Sequence, residues 1–474
     1  MDALADEYAA SCARARRRAC APLLAFLRAP GVQLHCDLSR CASPLADDGI
    51  ARCAAVLARD ASLRSLDVSH NAVGALGARE LGRVLITQGL LHTLTIADNR
   101  LDCEALGELA RALLRAATDA GASALTALDL SFNHIEAEGA ASLAAALRAR
   151  PRGGLRTLVL SGNRIGPVGA EALASALRAD VSLQTLRLRA CHIGDTGAAG
   201  LGAALLVNRA LAELDLGANG ISAAGLEALL GLRPASASAS GLGLGSGEGS
   251  GLGPGFGPGL GLGPASAASR SEASNEEDDG LPTPGLLPPP GQGLALDRLF
   301  LRANVLLDSG LRTLARYMAC NGFPKLRSLD LGQNGAGAGG LAAMLRALVC
   351  SEVTECLLDG PAVEGKLALS AACALLRSQT PLRTLVLPLA PSAAAFKSQL
   401  DFKSQLGSNL GADCLNSGSS NGVTDPGPPD ALGKLARALE GNTTLTSLEL
   451  EHFQSRLHPG FNRDFNWDLN SRVG

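Results

Sequence analysis

"LRTLVLSGNRIGPVGAEALASALRADVS", residues 155–182, runs straight into "LQTLRLRACHIGDTGAAGLGAALLVNRA", residues 183–210, and the two align residue for residue. Each opens L-x-x-L-x-L, whose last two leucines fall on one face of an extended segment because side chains alternate along a strand. Each then carries an Asn or Cys (Asn163, Cys191), followed by a glycine fourteen residues after the first leucine (Gly169, Gly197). Four and eight residues beyond that glycine stand Leu173 and Leu177, and Leu201 and Leu205, a spacing that places them on one helix face. Strand, turn, helix is therefore the unit. Neither its strand face nor its helix face is buried by one copy alone, so copies must stack.

The same start occurs at Leu63, Leu91, Leu125, Leu211, Leu296 and Leu326, with variant copies at Val353 and Leu382 and a last strand at Leu445. Repeat-like signal begins at "VQLHCDLSRC", with Cys36, Leu38 and Cys41 in register. Counting fourteen from the leucine also reaches Gly77, Gly139, Gly225, Gly310 and Gly340. Parallel stacking of such units closes a continuous leucine core in which each buried Leu contributes roughly 1.5–3 kcal/mol.

These motifs resemble the ribonuclease-inhibitor class of leucine-rich repeat, L-x-x-L-x-L-x-x-N/C-x-L…G-x-x-x-L-x-x-x-L, over roughly residues 31 to 233 and 294 to 450. The resemblance implies an α/β solenoid, a horseshoe of about 11 to 12 repeats with a parallel sheet on its concave face and helices on its convex face. It also implies a ladder of turn residues bonding to backbone: Asn71, Asn99, Asn133, Asn163, Cys191, Asn219, Asn304 and Asn334. Similar solenoids occur in Ran GTPase-activating proteins, in the repeat regions of NLR receptors and in a regulatory subunit of protein phosphatase-1.

The domain organisation follows. Residues 1–30 are read as an N-terminal helical cap, with residues 2–29 helical and Arg14, Arg16, Arg17 and Arg18 on a solvated face. Repeats fill 31–233 and 294–388. Between them 234–293 is Gly/Pro-rich and acidic, with no apolar periodicity, and is read as a disordered linker. A low-complexity insertion covers 389–429, a last repeat helix and strand 430–452, and a cap or docking tail 453–474. Ser274, ahead of Glu276, Glu277 and Asp278, resembles an acidophilic-kinase site.

Several functions are disfavoured. Net charge is −3 over 474 residues, so no nucleic acid or anionic membrane partner is expected. The acidic start lacks a signal-peptide pattern, and no apolar run is long enough to span a bilayer. Twelve scattered cysteines without a C-x-x-C pair are read as reduced thiols of a cytosolic or nuclear protein. "GPAVEGK", from Gly360 to Lys366, matches a phosphate-binding loop, but Leu367 replaces its Mg²⁺-binding Ser/Thr and Glu364 repels phosphate. It is read as a shortened repeat. "GSSNG", from Gly418 to Gly422, matches a nucleophile elbow without the flanking strand and helix that an elbow requires.

No catalytic, cofactor-binding or metal-binding residues and no small-molecule substrate are thus expected. The expected function is a non-enzymatic scaffold with a protein partner. Its candidate binding face is the set of side chains alternating with the core leucines: Asp67, Asp129, Arg187, Arg189, Asp215, Phe300 and Arg302. Most residues on that face are expected to be merely solvated. Two alternatives stem from the similar solenoids. In GTPase activation Arg100, in the turn after the strand from Leu91, would reach the GTPase, although no loop resembling the activator's catalytic arginine loop is found. In phosphatase-1 regulation the usual docking motif is absent, "RVLI" at Arg83 having Ile86 in the aromatic's place.

Overall fold

Three-residue strands with a buried centre recur along the chain: Leu66, Leu94, Leu128, Leu158, Leu186, Leu214, Leu299 and Leu329 are all sealed from solvent, and the residue on either side of each faces the opposite way. The computed structural model describes residues 2–29, 34–60, 62–118, 124–149, 154–232, 293–358, 366–378, 380–389, 435, 438–439, 442–452 and 465–468. Its strands are β1 (His35–Asp37), β2 (Ser65–Asp67), β3 (Thr93–Thr95), β4 (Ala127–Asp129), β5 (Thr157–Val159), β6 (Thr185–Arg187) and β7 (Glu213–Asp215). They continue as β8 (Arg298–Phe300), β9 (Ser328–Asp330), β10 (Glu355–Leu357), β11 (Thr384–Leu389), β12 (Ser447–His452) and β13 (Phe465–Asp468). The sheet follows chain order throughout, parallel from β1 to β12, with β13 antiparallel along β12.

A helix follows each of the first ten strands on one side of the sheet: α3 (Ala46–Leu57), α4 (Ala75–Thr87), α5 (Cys103–Thr118), α6 (Ala137–Arg148), α7 (Gly166–Leu177), α8 (Gly194–Leu205) and α9 (Ala223–Leu229), then α10 (Leu307–Ala319), α11 (Ala338–Leu348) and α12 (Lys366–Arg377). Each helix buries its leucine stripe against the strands and its neighbours, as Leu173 and Leu177 do in α7.

What binds one repeat to the next at the turn is the Asn side chain. Asn99 Oδ1 accepts from the backbone N–H of Asn71 (3.0 Å) and of Val73 (2.9 Å), both in the preceding repeat. Its Nδ2 donates to the carbonyls of Val68 (3.1 Å) and Ala97 (3.0 Å). Asn71, Asn133, Asn163, Asn219 and Asn304 bridge in the same way, all buried. Cys191 keeps half of the pattern, its Sγ reaching the Leu160 carbonyl at 3.2 Å. Asn334 donates to Leu301, Leu331 and Gly332, but its buried Oδ1 has no partner. The residue before each rung is in the left-handed region, from φ 49° at Asp98 to φ 75° at Gly162. Only Gly162 among them is a glycine.

The helix-start glycines serve a second tie. Asp47, early in α3, accepts from the N–H groups of Gly74 (2.7 Å) and Gly77 (3.0 Å) of the next repeat. Asp195 holds Ser222 and Asp308 holds Gly337 in the same manner, placing a carboxylate at each helix N-terminus. A Cβ on Gly77 would lie 2.6 Å from Asp47 Oδ1, so a side chain there would push the helices apart.

The two repeat blocks are one sheet. β7 pairs with β8 in the register used everywhere else, Glu213 beside Arg298. Asn219 donates its N–H to Asn304 Oδ1 across 85 residues, where the preceding rung spans 28. The excess of 57 residues therefore leaves between helix and strand without breaking the stack. The linker reading for 234–293 lies outside the described residues except for Gly293. So do Ser274, Gly360 to Gly365, most of 389–429 including "GSSNG", and 453–474 apart from β13.

The N-terminal segment departs from expectation. Residues 2–29 form two helices, α1 (Asp2–Arg14) and α2 (Ala21–Arg28), rather than one. The chain turns at Arg16, which is left-handed (φ 51°), and restarts with Pro22 in the first turn of α2. Arg16, Arg17 and Arg18 therefore sit in the exposed turn, not on a helix face, and Arg17 pairs with Asp48 at 3.7 Å. Tyr8, Leu23 and Leu27 are buried in the core that runs on into the first repeat.

Replacing Asn99 by Ala strands two buried N–H groups and is expected to cost about 2–4 kcal/mol in urea unfolding. Asn334→Ala removes donors only, since its oxygen accepts nothing, and should cost about 2 kcal/mol less than Asn99→Ala.

Candidate interaction face

On the sheet face opposite the leucines, the in-register stack aligns Asp67, Thr95, Asp129, Val159, Arg187, Asp215, Phe300 and Asp330 across β2 to β9. Asp67 and Asp129, on β2 and β4, stand apart from the other candidates, and both are engaged at home. Asp67 Oδ1 accepts from Ser69 N–H at 2.9 Å and from its hydroxyl at 2.6 Å, and Ser131 does the same to Asp129. Asp37 repeats the arrangement with Ser39, whose hydroxyl holds its carboxyl below the usual range. These aspartates fasten the strand end to the turn. The D-x-S spacing of "CDLS", "LDVS" and "LDLS" carried that signal in the sequence.

Arg187, Arg189, Asp215, Phe300 and Arg302 are brought together on β6 to β8 and the turns that follow β6 and β8. Their organising residue is Glu213, which belongs to a position expected to be merely solvated. It is instead 6% exposed. Arg187 Nε donates to Glu213 Oε1 at 2.7 Å, with Nη2 at the same distance, and Arg298 Nη1 lies 3.4 Å from Oε2. One buried carboxylate therefore fixes two half-exposed guanidinium groups on neighbouring strands. Arg298 comes from beyond the insertion, 85 residues away, so only the pairing of β7 with β8 makes the two neighbours.

Beside this triad, Asp215 accepts from Gly217 N–H at 2.9 Å. Burial pushes its carboxyl above the usual range, against the opposing pull of that N–H and of Arg189 and Arg187. A Cβ on Gly217 would stand 3.2 Å from Arg189 Nη1 and from Asp215 Oδ1, so the bare glycine leaves room for the two charges. Arg302 Nη1 lies 3.9 Å from Asp330 Oδ1, and half-buried Phe300 is flanked in register by Asp215 and Asp330. Alternating charge around one aromatic, held by a rigid sheet, is an arrangement suited to a partner surface that carries both signs.

Arg100 is exposed in the turn after β3, with its backbone N–H on the Val73 carbonyl. In "RVLI", Val84 and Leu85 are core residues of α4. Among the described residues no group of three or more His, Cys, Asp or Glu side chains is placed to hold a metal ion, and no helix is long and apolar enough to cross a membrane.

The profile of the family described as "Leucine Rich repeat" matches residues 60–82, 118–144, 155–174, 180–202 and 207–230. Solved structures that resemble the chain include the Rad7 and Elc1 complex in yeast, at 13% identity and TM-score 0.44, covering 83% of this chain and 79% of that one. Internalin InlF from Listeria monocytogenes aligns at 14% identity and TM-score 0.33, over 70% and 69% of the two chains. The tropomodulin C-terminal domain of Caenorhabditis elegans aligns at 14% and TM-score 0.27, over 33% of this chain and 90% of that one. No curated protein matches the sequence significantly. The chain thus carries leucine-rich repeats in the matched stretches, and its in-order parallel sheet with one helix after each of the first ten strands is the α/β leucine-rich repeat solenoid.

Because the folded state raises the Asp215 carboxyl, ionising it costs stability as pH rises through its folded-state titration, and that cost is absent below the unfolded carboxylate range. Asp215→Asn is thus expected to melt at or above the wild type at pH 7, with the gap closing in acid. Paired thermal melts at the two pH values check this.

Proposed function

We propose that this leucine-rich repeat protein is a non-enzymatic scaffold that holds a protein partner against the outward face of β6 to β9. The observation that carries the reading is Glu213: a buried carboxylate whose role is to hold Arg187 and Arg298 in fixed, half-exposed positions. Pre-positioned guanidinium groups lose little freedom on binding and pair with carboxylates in a set geometry. Asp215, kept in a site that disfavours its charge, fits the same use, since stability is given up where a binding surface needs it. A flat face of this kind favours an extended partner surface over a small molecule. The repeat class proposed is that of the ribonuclease inhibitor, and the proposed compartment is the cytosol or nucleus.

The test is affinity purification of tagged full-length protein from its native cells, with quantitative mass spectrometry, beside an Arg187→Ala/Phe300→Ala/Arg302→Ala variant. The dominant partner is expected to drop at least about tenfold with the variant, by the size of central aromatic and Arg contacts, while its melting temperature stays within a few degrees. Equal recovery from the variant refutes the face. A small GTPase as the dominant partner, with hydrolysis stimulated by the wild type and lost in Arg100→Ala, refutes the non-enzymatic reading.

A further inference from the structure

Five cysteines gather where the N-terminal helices meet the first repeat: Cys12, Cys20, Cys36, Cys41 and Cys53. Cys36 and Cys53 are sealed in the core, and burial pushes both thiols up, that of Cys53 to about 12. They are protonated and inert at physiological pH. Cys20 is buried too, but its sulfur meets that of Cys41, which is partly exposed, and this contact sets the pair apart.

Their sulfur atoms stand 2.8 Å apart, with the residues 21 positions distant in sequence. Cys20 immediately precedes α2, its backbone N–H anchored on the Tyr8 hydroxyl at 3.0 Å, so its position is set by the packing of α1. Cys41 lies in the turn after β1 and is partly exposed, giving the pair a route to solvent. A disulfide brings sulfurs to about 2.05 Å. Less than an ångström of movement separates this pair from a bond.

We propose that Cys20 and Cys41 form a reversible disulfide that fastens the N-terminal helices to the first repeat when the protein meets a peroxide. The hydrogen bond with the Cys41 thiol lowers the Cys20 thiol below its ordinary range and so favours its thiolate. That thiolate attacks the peroxide O–O bond, forming a sulfenic acid and releasing hydroxide, which takes up a proton to become water. The Cys41 sulfur then attacks the Cys20 sulfur, and its own proton leaves with the sulfenic hydroxyl as a second water. Two thiols and one hydrogen peroxide yield one disulfide and two waters. In a reducing compartment a small thiol reverses the bond by exchange, entering at the partly exposed Cys41 side.

Reduced full-length protein is freed of reductant, treated with hydrogen peroxide, alkylated and digested with trypsin. Cleavage after Arg18, Arg28, Arg40 and Arg52 puts Cys20, Cys36 and Cys41 on three separate peptides. Peptide 19–28 joined to peptide 41–52 is expected as the main cross-link, reversed by dithiothreitol, and amide exchange across α2 should slow about tenfold on oxidation. Cys41→Ser, at a partly exposed site, should fold as the wild type does and lose both effects. Full alkylation of Cys20 and Cys41 after peroxide overturns the proposal. So does a dominant cross-link of Cys20 to any other cysteine, or slowed exchange that persists in Cys41→Ser.

Discussion

The structure rests on a backbone problem that every turn poses and one side chain solves. After each three-residue strand the chain must bend back to a helix, leaving N–H and C=O groups buried between repeats with no strand partner. A side-chain amide, with an acceptor on one arm and a donor on the other, satisfies both at once, and Asn99 does so for Asn71, Val73, Val68 and Ala97. The geometry of that bond sets the separation and register of neighbouring repeats. Everything else, including which outward side chains become neighbours, is inherited from it. The tie is also costly: the residue before each rung takes a left-handed conformation, of order 1 kcal/mol for residues such as His70, Ala190 and Gln333 that are not glycine.

The charged cluster shows what that inheritance produces. Because the ladder holds β7 and β8 in register, Arg298 stands directly opposite Glu213 and lies 3.4 Å from its carboxylate, although the two are 85 residues apart, while Arg187 reaches the same carboxylate diagonally from β6 at 2.7 Å. On β2 and β4 the aspartates are consumed by their own turns, through Ser69 and Ser131. Asp215 and Asp330 have glycine in place of that serine, Gly217 and Gly332, and accept from its backbone N–H without the hydroxyl. At Asp330 the oxygen so held also has Arg302 at 3.9 Å. One serine-to-glycine change thus separates a turn fastener from a member of a charged face.

Much of this was legible in the sequence, for identifiable reasons. The leucine spacing, the Asn or Cys rungs and the glycine at position fourteen each reflect a steric or hydrogen-bonding demand repeated in every copy. What was not legible has physical reasons too. The left-handed residues carry no common side chain, since the ladder rather than local preference imposes their φ. The break at Arg16 is set by the packing of Tyr8 and α2 onto the first repeat, a tertiary constraint that overrides the helical pattern. Glu213 reads as an ordinary surface residue until β8 is known to be its neighbour, and the insertion hides that. The closeness of Cys20 and Cys41 likewise depends on how two helices dock, which no spacing encodes.

The insertion between α9 and β8 also bears on how the molecule comes together in time. Stacked repeats ordinarily fold by local closure, and from β2 to β11 every strand but β8 finds its neighbour 27 to 34 residues back. At the β7–β8 seam the loop to be closed is 85 residues instead of 28, an added entropic cost of about 1 kcal/mol on the logarithmic scaling of loop length. That penalty is small against the final stability, and a smaller one of the same kind falls on the pairing of β11 with β12, which closes 63 residues. The stretch from β1 to α9 and the stretch from β8 onward are thereby placed to nucleate separately, with their docking as the later, slower event. The Arg187–Glu213–Arg298 cluster straddles that junction, so it is complete only once both halves have met.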